Sequence, residues 1–210
     1  IHQEKQMSLF GEASEHGKEN TLSNFNSIKP NYKLIQTKDE HIEFIQQLVL
    51  QKEVAFDTET TSLDVKEAKI LGISFSYKSN FGFYCDLSKN EDLINLYQPF
   101  FSSNSLKIAH NLKYDYGILE NYGIELNKNC FDTMIAHYLI EPEQRHNLDY
   151  LSRTVLKYDP IQIETLIGSK TKPNKKMEEV EITLLKDYAA EDADITFQLY
   201  KKFSDKILDL

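Results

Sequence analysis

The length, composition and charge of this chain indicate one globular domain with an excess of acidic groups. Its 210 residues can bury one sizeable core, 40% of them are hydrophobic and the formal net charge is −9, which argues against a protein that holds nucleic acid through a broad basic surface. No apolar run reaches membrane-spanning length, so no membrane contact is expected, and two cysteines without metal-binding spacing, Cys85 and Cys130, fit a reduced cytoplasmic setting.

The first 31 residues differ from the rest of the chain. They lack hydrophobic periodicity and are rich in Glu, Ser, Asn, Lys and Gly, which is typical of a disordered linker or tail. The chain begins with Ile1 rather than Met, so we expect it to be a piece of a longer protein. We therefore predict a tail over residues 1–31 and one folded domain over residues 32–210.

The first half of the predicted domain contains one helix and three strands. Thr37 and Glu40 have the spacing of a capping box, and apolar residues then recur at helical intervals. The second and third predicted strands are separated by a short turn and are expected to form a hairpin. The three strands span residues 53–59, 70–77 and 81–87.

The second half is mainly helical. A strand over residues 106–109 leads into a helix with Asn111 as its predicted N-cap, and another short strand is predicted near residues 124–126. Antiparallel strands followed by strand–helix units predict an α/β fold with a mixed five-stranded sheet, three antiparallel strands plus parallel strands, flanked by helices. The further predicted helices span residues 131–140, 147–157 and 181–206.

A pair of acids ends the first of these strands. Side chains alternate faces along a strand, so Asp57 and Glu59 point to one face and Val54 and Phe56 to the other. Two carboxylates on one face repel each other and resist joint ionisation unless a cation lies between them. A strand end that frays into a polar turn is the alternative, and the pair alone does not decide between the two.

A second acid lies on the apolar face of the last helix. Asp192 continues an apolar stripe at helical spacing, and Tyr188, one turn earlier, would place its hydroxyl beside that carboxylate. Glu191 and Asp194 fall outside the stripe and are predicted to be solvated. A buried Asp needs a partner or a metal ion, so the stripe is compatible with a Tyr–Asp hydrogen bond in the core as well as with a metal site.

A third acid lies at the start of the helix that follows residues 106–109. Asp115 falls in the first turn of that helix, where a carboxylate is stabilised by the positive end of the helix dipole. An acid at this place is often a helix-start residue and nothing more. Its position at the mouth of the sheet makes it a candidate partner for the acid pair on the strand.

The three acidic segments together resemble a known family. FDTET, HNLKYD and YAAED, in this order, match the three exonuclease motifs of the DEDD superfamily, and Tyr188, four residues before the last Asp, is typical of its DEDDy branch. FDTETTSLD, AHNLKYDYGIL, FDTMIAHYLI and YAAEDADITFQLY are similar to the proofreading domain of bacterial DNA polymerase I. The resemblance covers roughly residues 33–207 and implies an RNase H-like fold.

The resemblance implies a two-metal 3′–5′ exodeoxyribonuclease. Two divalent ions, Mg²⁺ or Mn²⁺, would be held by carboxylates, the ligands that these ions prefer. Asp57, Glu59 and Asp192 would bind the first ion, Asp57 would bridge to the second, and Tyr188 would orient the attacking water. Asp115 would support the second ion. By similarity, the residues that contact the single-stranded 3′ end of DNA would be Thr58, Leu63, Asn111, Tyr114 and Arg145.

Two points of the substrate path stay open in the sequence. Leu63 would wedge between bases, but it could equally be a core residue. Ile163 stands where the family commonly has an aromatic residue, so a base-stacking contact is expected to be weaker here.

Two alternative functions remain. The four acids do not by themselves select DNA over RNA, so an RNA-trimming activity similar to that of ribonuclease D is the alternative enzyme. A structural or clamp-docking module with a silent nuclease is the alternative from another class, although the chain keeps all four acids and Tyr188.

The tail contains a short motif of its own. Gln6, Leu9 and Phe10 belong to the sequence QMSLF, which resembles the peptide by which bacterial replication proteins bind the sliding clamp, and a chance match is the alternative.

The resemblance to DNA polymerase I further implies a polymerase domain after Leu210 and a cytoplasmic, nucleoid-associated protein.

Overall fold

The computed structural model describes residues 22–169 and 171–208, and its centre is a six-stranded mixed sheet. The strands follow one another across the sheet in the order β2-β5-β4-β3-β6-β7. Their bounds are β2 Asn31–Ile35, β3 Glu53–Thr60, β4 Ile70–Lys78, β5 Phe81–Asp86, β6 Leu106–Ala109 and β7 Cys130–Asp132.

The predicted α/β class with antiparallel and parallel strands is confirmed. β3, β4 and β5 pair antiparallel, whereas β2 joins β5, β6 joins β3 and β7 joins β6 in parallel. The sheet has six strands rather than five. The prediction omits β2, an edge strand whose parallel partner β5 lies far along the chain.

The prediction of a strand near residues 124–126 is wrong. Ile124 is buried but lies in a loop that packs against the core, and the strand at this edge of the sheet is β7 instead. A short apolar run does not distinguish a strand from a buried loop.

Helices cover both faces of the sheet. The predicted helix over residues 147–157 divides into an α-helix and a π-helix over Ser152–Leu156, and the last helix extends to Leu208. The helices of the domain are α2 Lys38–Leu48, α3 Gln98–Ser102, α4 Leu112–Asn121, α5 Thr133–Ile140, α6 Leu148–Leu151, α7 Ile163–Ile167 and α8 Ile182–Leu208, with 3-10 turns at Glu91–Tyr97 and Met177–Glu179.

Helix α2 begins as its sequence predicts. The Thr37 side chain accepts a hydrogen bond from the Glu40 backbone N–H at 3.3 Å, and the Glu40 carboxylate accepts one from the Thr37 backbone N–H at 2.8 Å. Both halves of the capping box are therefore formed.

The two faces of the sheet are packed differently. One face is almost entirely apolar and aromatic, with Phe56 and Phe75 fully buried beneath α2 and α3. The other face lies under α8, whose Leu185 and Ala189 pack there, and it carries carboxylates. The acid pair of β3 therefore lies on the face that α8 covers.

Short elements precede and flank the sheet. β1 (Ser23–Asn24) pairs in parallel with β8 (Tyr158–Asp159), and α1 (Phe25–Ile28) follows β1. The segment that the sequence assigns to the tail therefore contains ordered elements from Ser23 onward. A further two-stranded pair, β9 (Gly168–Ser169) and β10 (Lys172–Pro173), follows α7.

Two smaller expectations concern cysteines and membranes. Cys85 is buried and Cys130 half-buried, and both are free thiols, as the sequence predicts. In the described part of the chain, no helix is both long enough and apolar enough to cross a membrane.

Candidate metal centre

The acid pair lies at the end of β3, on the face beneath α8. Asp57 is opposite Ser74 and Glu59 is opposite Gly72 in the antiparallel ladder with β4. Because these positions are two residues apart, both carboxylates point to the same face. Phe56, which precedes Asp57 and points to the opposite face, is fully buried in the core on that side of the sheet.

Helix α8 brings a third carboxylate to this pair. One carboxylate oxygen from each of Asp57, Glu59 and Asp192 lies within 4.8 Å of the other two. Asp192 is half-buried, and its neighbours Ala189 and Ala193 are buried against the sheet. The small side chains allow the helix to approach the strand closely enough for the three acids to meet.

The fourth acid is held beside this group by β3 itself. The Asp115 carboxylate on α4 accepts hydrogen bonds from the Thr58 backbone N–H at 3.0 Å and from the Thr58 hydroxyl at 2.6 Å. Asp115 is 2% exposed. Thr58, predicted to contact DNA, is itself buried, and its hydroxyl is used to fix Asp115.

Burial and mutual repulsion favour the protonated form of all four acids. Burial raises the pKa of Asp57 well above its ordinary value, and the charges of Asp115, Glu59 and Asp192 add to this. Burial and the charge of Asp115 raise the pKa of Glu59 to about 8. Burial likewise raises the pKa of Asp115 to about 7, although the hydrogen bonds from Thr58 act in the opposite direction. Burial also raises the pKa of Asp192, and the charge of Glu59 adds to this increase.

This donor set fits a hard divalent cation. Several carboxylates that converge without a basic side chain beside them are unfavourable when no ion is bound, because each ionised oxygen is desolvated and repelled by the others. A cation with oxygen ligands removes both penalties, and Mg²⁺ and Mn²⁺ prefer such ligands.

Removal of metal ions should make the stability of the domain fall as the pH rises above neutrality. The folded-state pKa values of Glu59 and Asp115 are about 8 and about 7, whereas those of an unfolded chain are near ~4. The folded state therefore binds more protons between these values, so this stability is complete below about pH 4 and is lost as the pH passes through 7 and 8. His110, with a pKa lowered by burial to about 4, titrates below this window.

The measurement is the melting temperature in chelator and in saturating Mn²⁺, from about pH 6.5 to about pH 9. In chelator we expect a loss on the order of 2 kcal/mol, or about 4–8 °C. Mn²⁺ should remove most of this loss, because it binds the ionised carboxylates. Parallel pH profiles with and without the ion would contradict the assignment.

Tyr188 lies one turn before Asp192 and beside the acids. Burial raises the pKa of its phenol far above the ordinary value, the charges of Asp192, Glu59 and Asp57 add to this, and a hydrogen bond to the Asp192 carboxylate contributes in the same direction. The hydroxyl is therefore a permanent proton donor. It can orient a water molecule but cannot act as a base at neutral pH.

Apart from the buried Thr58, the residues predicted to contact the substrate are exposed or half-buried. Leu63 is 91% exposed, which excludes the core alternative. The Tyr114 hydroxyl donates to the Ser62 carbonyl at 2.7 Å and also contacts the Thr60 hydroxyl at 2.5 Å, so it fixes the loop that carries Leu63. Asn111 and Arg145 are exposed.

The start of α4 differs from its prediction in one respect. Asn111 occupies the N-cap position in the left-handed region with φ 67°, and its side chain makes no capping bond. The carboxylate of Asp132 replaces it, accepting from the backbone N–H groups of Asn111 at 3.2 Å and Leu112 at 2.8 Å. Asp132 also caps α5, so one residue fixes the starts of two helices.

The prediction that Glu191 and Asp194 are solvated is wrong. Both are buried, at 0% and 2% exposure. The Glu191 carboxylate accepts from the Tyr158 hydroxyl at 2.5 Å and from the Ile161 backbone N–H at 2.6 Å, and Asp194 accepts from the Tyr32 hydroxyl at 2.8 Å. These partners lie 30 to 162 residues away, so the helical pattern alone carries no signal of them.

One predicted feature lies outside the described residues. Gln6, Leu9 and Phe10 fall in the first 21 residues, which the structure does not describe. Arg145 is described and exposed, and it makes no ion pair with another described residue.

Comparison with known sequences matches the chain to a family and to two longer relatives. A family described as 3′–5′ exonuclease matches residues 32–208. DNA polymerase I of Borreliella burgdorferi is 35% identical over 198 residues, which covers 90% of this chain and 21% of that protein. DNA polymerase I of Pseudomonas aeruginosa is 27% identical over 95% of this chain and 23% of that protein. The chain thus spans about a fifth of the length of these relatives.

Comparison with solved structures shows the same fold at low identity. RNase D of Trypanosoma brucei, in complex with RNA, superposes with a TM-score of 0.69 at 16% identity over 84% of this chain and 64% of that one. NrnC of Brucella melitensis with bound Mg²⁺ gives 0.63 at 17% identity over 90% and 83%.

Proposed function

The chain belongs to the 3′–5′ exonuclease family, and from this membership we propose that it removes nucleoside monophosphates from the 3′ end of single-stranded or frayed DNA. The observation that carries the proposal is the meeting of Asp57, Glu59 and Asp192 within 4.8 Å, with Asp115 beside them. Family membership and an intact acidic centre together argue against a silent structural module.

Asp57, Glu59 and Asp192 would hold one divalent ion, and Asp57 and Asp115 a second. Paired divalent ions, when bound, supply charge stabilisation to the attacking and leaving oxygens of a phosphodiester. The carboxylates themselves would hold the ions, and an ionised acid of the cluster could take up the proton of the attacking water, whereas the Tyr188 hydroxyl stays protonated at neutral pH.

Tyr188 and the loops around the acids would position the reacting groups. The Tyr188 hydroxyl stays protonated and lies against Asp192, where it can donate to the attacking water. Leu63, exposed on a loop that Tyr114 fixes, would separate the terminal bases. Thr58 acts through Asp115, while Asn111 and Arg145 would contact the strand from exposed positions.

DNA is proposed as the substrate because the curated relatives are DNA polymerases. The chain aligns with two DNA polymerase I sequences over 90% and 95% of its length. The structure of RNase D in complex with RNA has the same fold but is only 16% identical. RNA trimming is therefore the alternative, and the fold is compatible with both substrates.

The test uses DNA and RNA strands of one sequence, each labelled at its 5′ or 3′ end. We expect a ladder of shortened 5′-labelled DNA, release of a labelled mononucleotide from 3′-labelled DNA, activity with Mg²⁺ or Mn²⁺, and none with chelator. Primers with a mismatched 3′ end on a template should be shortened faster than matched primers, because they fray. Faster degradation of RNA than DNA would favour the alternative.

The proposal extends to the longer protein from which this chain derives. A polymerase domain is proposed to follow Leu210, because the relatives are about five times longer than the region they share with this chain. Together with this domain we propose a proofreading role and a cytoplasmic, nucleoid-associated location. Binding of a sliding clamp through Gln6–Phe10 rests on the motif alone and stays a prediction.

A further inference from the structure

Tyr84 lies on the same face of the sheet as the acids. In the ladders across β3, β4 and β5, Asp57, Ser74 and Tyr84 form one row, and Glu59, Gly72 and Asp86 form the next. All six side-chain positions therefore face α8. The ring of Tyr84 packs there against Leu166, Leu185 and Ala189.

The hydroxyl of Tyr84 reaches from its own row to the row of Glu59. A Cβ atom placed on Gly72 would lie 2.3 Å from this oxygen and 2.4 Å from the ring carbon that carries it. The hydroxyl thus occupies the space above Gly72, between Glu59 on one neighbouring strand and Asp86 on the other. The charges of both carboxylates act on it, since after burial they are the main causes that raise the pKa of Tyr84.

This hydroxyl is buried without a hydrogen-bond partner among the described residues. Tyr84 is 0% exposed, and a buried hydroxyl without a hydrogen-bond partner is unfavourable. A donor kept in such a place is best explained by an acceptor that becomes available in another state of the site.

Of the two neighbouring carboxylates, Asp86 is already supplied with donors. It accepts from the Ser88 backbone N–H at 3.0 Å, from the Ser88 hydroxyl at 2.6 Å and from the Gln36 amide at 3.3 Å. For Glu59, no protein donor to its carboxylate is found within residues 22–169 and 171–208. Glu59 is therefore the acceptor that lacks a donor.

We propose that Tyr84 is a positioning residue whose hydroxyl donates to the Glu59 carboxylate when that carboxylate holds a cation. The inference rests on the proposed function and extends it to a residue outside the three acidic motifs. A carboxylate that binds a cation through one oxygen needs a donor at the other to fix its orientation, and such supporting groups strengthen metal affinity. Gly72 is the residue that leaves room for this contact.

The test is Tyr84→Phe, measured by Mn²⁺ titration of the full chain in the absence of nucleic acid. The change removes only the hydroxyl, so the melting temperature in chelator should stay equal or rise slightly. Mn²⁺ affinity should fall about 10-fold. The control is Tyr77→Phe, a half-buried tyrosine of β4 that packs against the core on the opposite face, and it should bind Mn²⁺ like the wild type.

A second variant tests the contact from its other side. Gly72→Ala displaces the Tyr84 ring end and should lower Mn²⁺ affinity at least as far as Tyr84→Phe, with an added loss of stability. Mn²⁺ affinity of Tyr84→Phe equal to that of the wild type would overturn the inference and leave the proposed function intact. Wild-type protein that binds no Mn²⁺ would overturn the proposed function, and this inference with it.

Discussion

Asp57→Asn should abolish exonuclease activity and at the same time stabilise the protein in chelator. Asp57 is the acid on which the charges of the other three, Asp115, Glu59 and Asp192, converge. Its loss removes a ligand shared by both proposed ions, which should reduce the rate by about 1,000-fold or more, equivalent to several kcal/mol of transition-state stabilisation. The same change removes a buried carboxylate from a repulsive cluster, so unfolding at pH 8 without metal should become less favourable.

The opposite signs of these two effects distinguish a metal site from a structural one. If Asp57 stabilised the fold through its contacts, Asp57→Asn would lower both activity and melting temperature. Nucleotide release and melting temperature in chelator are measured on the same preparation. Asp205→Asn serves as the control, because it makes the same change at an exposed position of α8, and it should leave both quantities unchanged. Wild-type nucleotide release by Asp57→Asn would refute the site.

The acidic centre could be predicted because each acid follows from a local period. Asp57 and Glu59 are two residues apart on a strand, and Asp192 continues a stripe of period 3.6, so their faces can be read from the chain. Asp115 follows a strand and opens a helix. Short-range geometry thus predicts which face of its strand or helix each acid occupies. The resemblance to a family predicts that the acids meet at one metal site.

The residues that support the centre could not be predicted, because their partners are distant in the chain. Glu191 is next to Asp192, but it fixes Tyr158 and the start of the segment that carries Ile163. Tyr84 and Gly72 meet only because β4 and β5 pair in one register. A pattern of hydrophobicity records which side of a helix is buried, and it does not record a buried carboxylate whose donors come from another strand or loop.

Two strands of the central sheet escaped prediction because their partners are likewise distant in the chain. β2 and β7 are edge strands of five and three residues that pair only in parallel. Parallel pairing leaves no hairpin turn in the sequence to mark the strand. The antiparallel strands β4 and β5, by contrast, are joined by a short turn with Asn80 at φ 61°, and the turn is visible in the sequence.

Tyr188→Phe should lower the rate of nucleotide release by about 100-fold while leaving metal binding almost unchanged. Its hydroxyl lies against Asp192 and is held protonated by burial and by the neighbouring charges. A residue that orients the attacking water affects the chemical step, with typical contributions of about 100-fold to 10,000-fold for positioned proton donors and acceptors. The carboxylates that bind the ion are all retained, and the Tyr188 hydroxyl is proposed to turn from Asp192 to the attacking water when the ion is bound. The Mn²⁺ affinity should therefore change little compared with the loss of about 10-fold that is typical when a group supporting a metal ligand is removed.

The separation between kcat and metal affinity identifies the role of this hydroxyl. Tyr188→Phe and Tyr84→Phe remove the same group from two tyrosines of one cluster between α8 and the sheet. The first should reduce kcat at saturating Mn²⁺, and the second should raise the Mn²⁺ concentration needed for half-maximal activity. Saturating metal would then restore the Tyr84→Phe enzyme but not the Tyr188→Phe enzyme. If metal restored both, Tyr188 would act as a support of Asp192 and the attacking water would be oriented by another group, because a hydroxyl needed in the chemical step cannot be replaced by occupancy of the metal site.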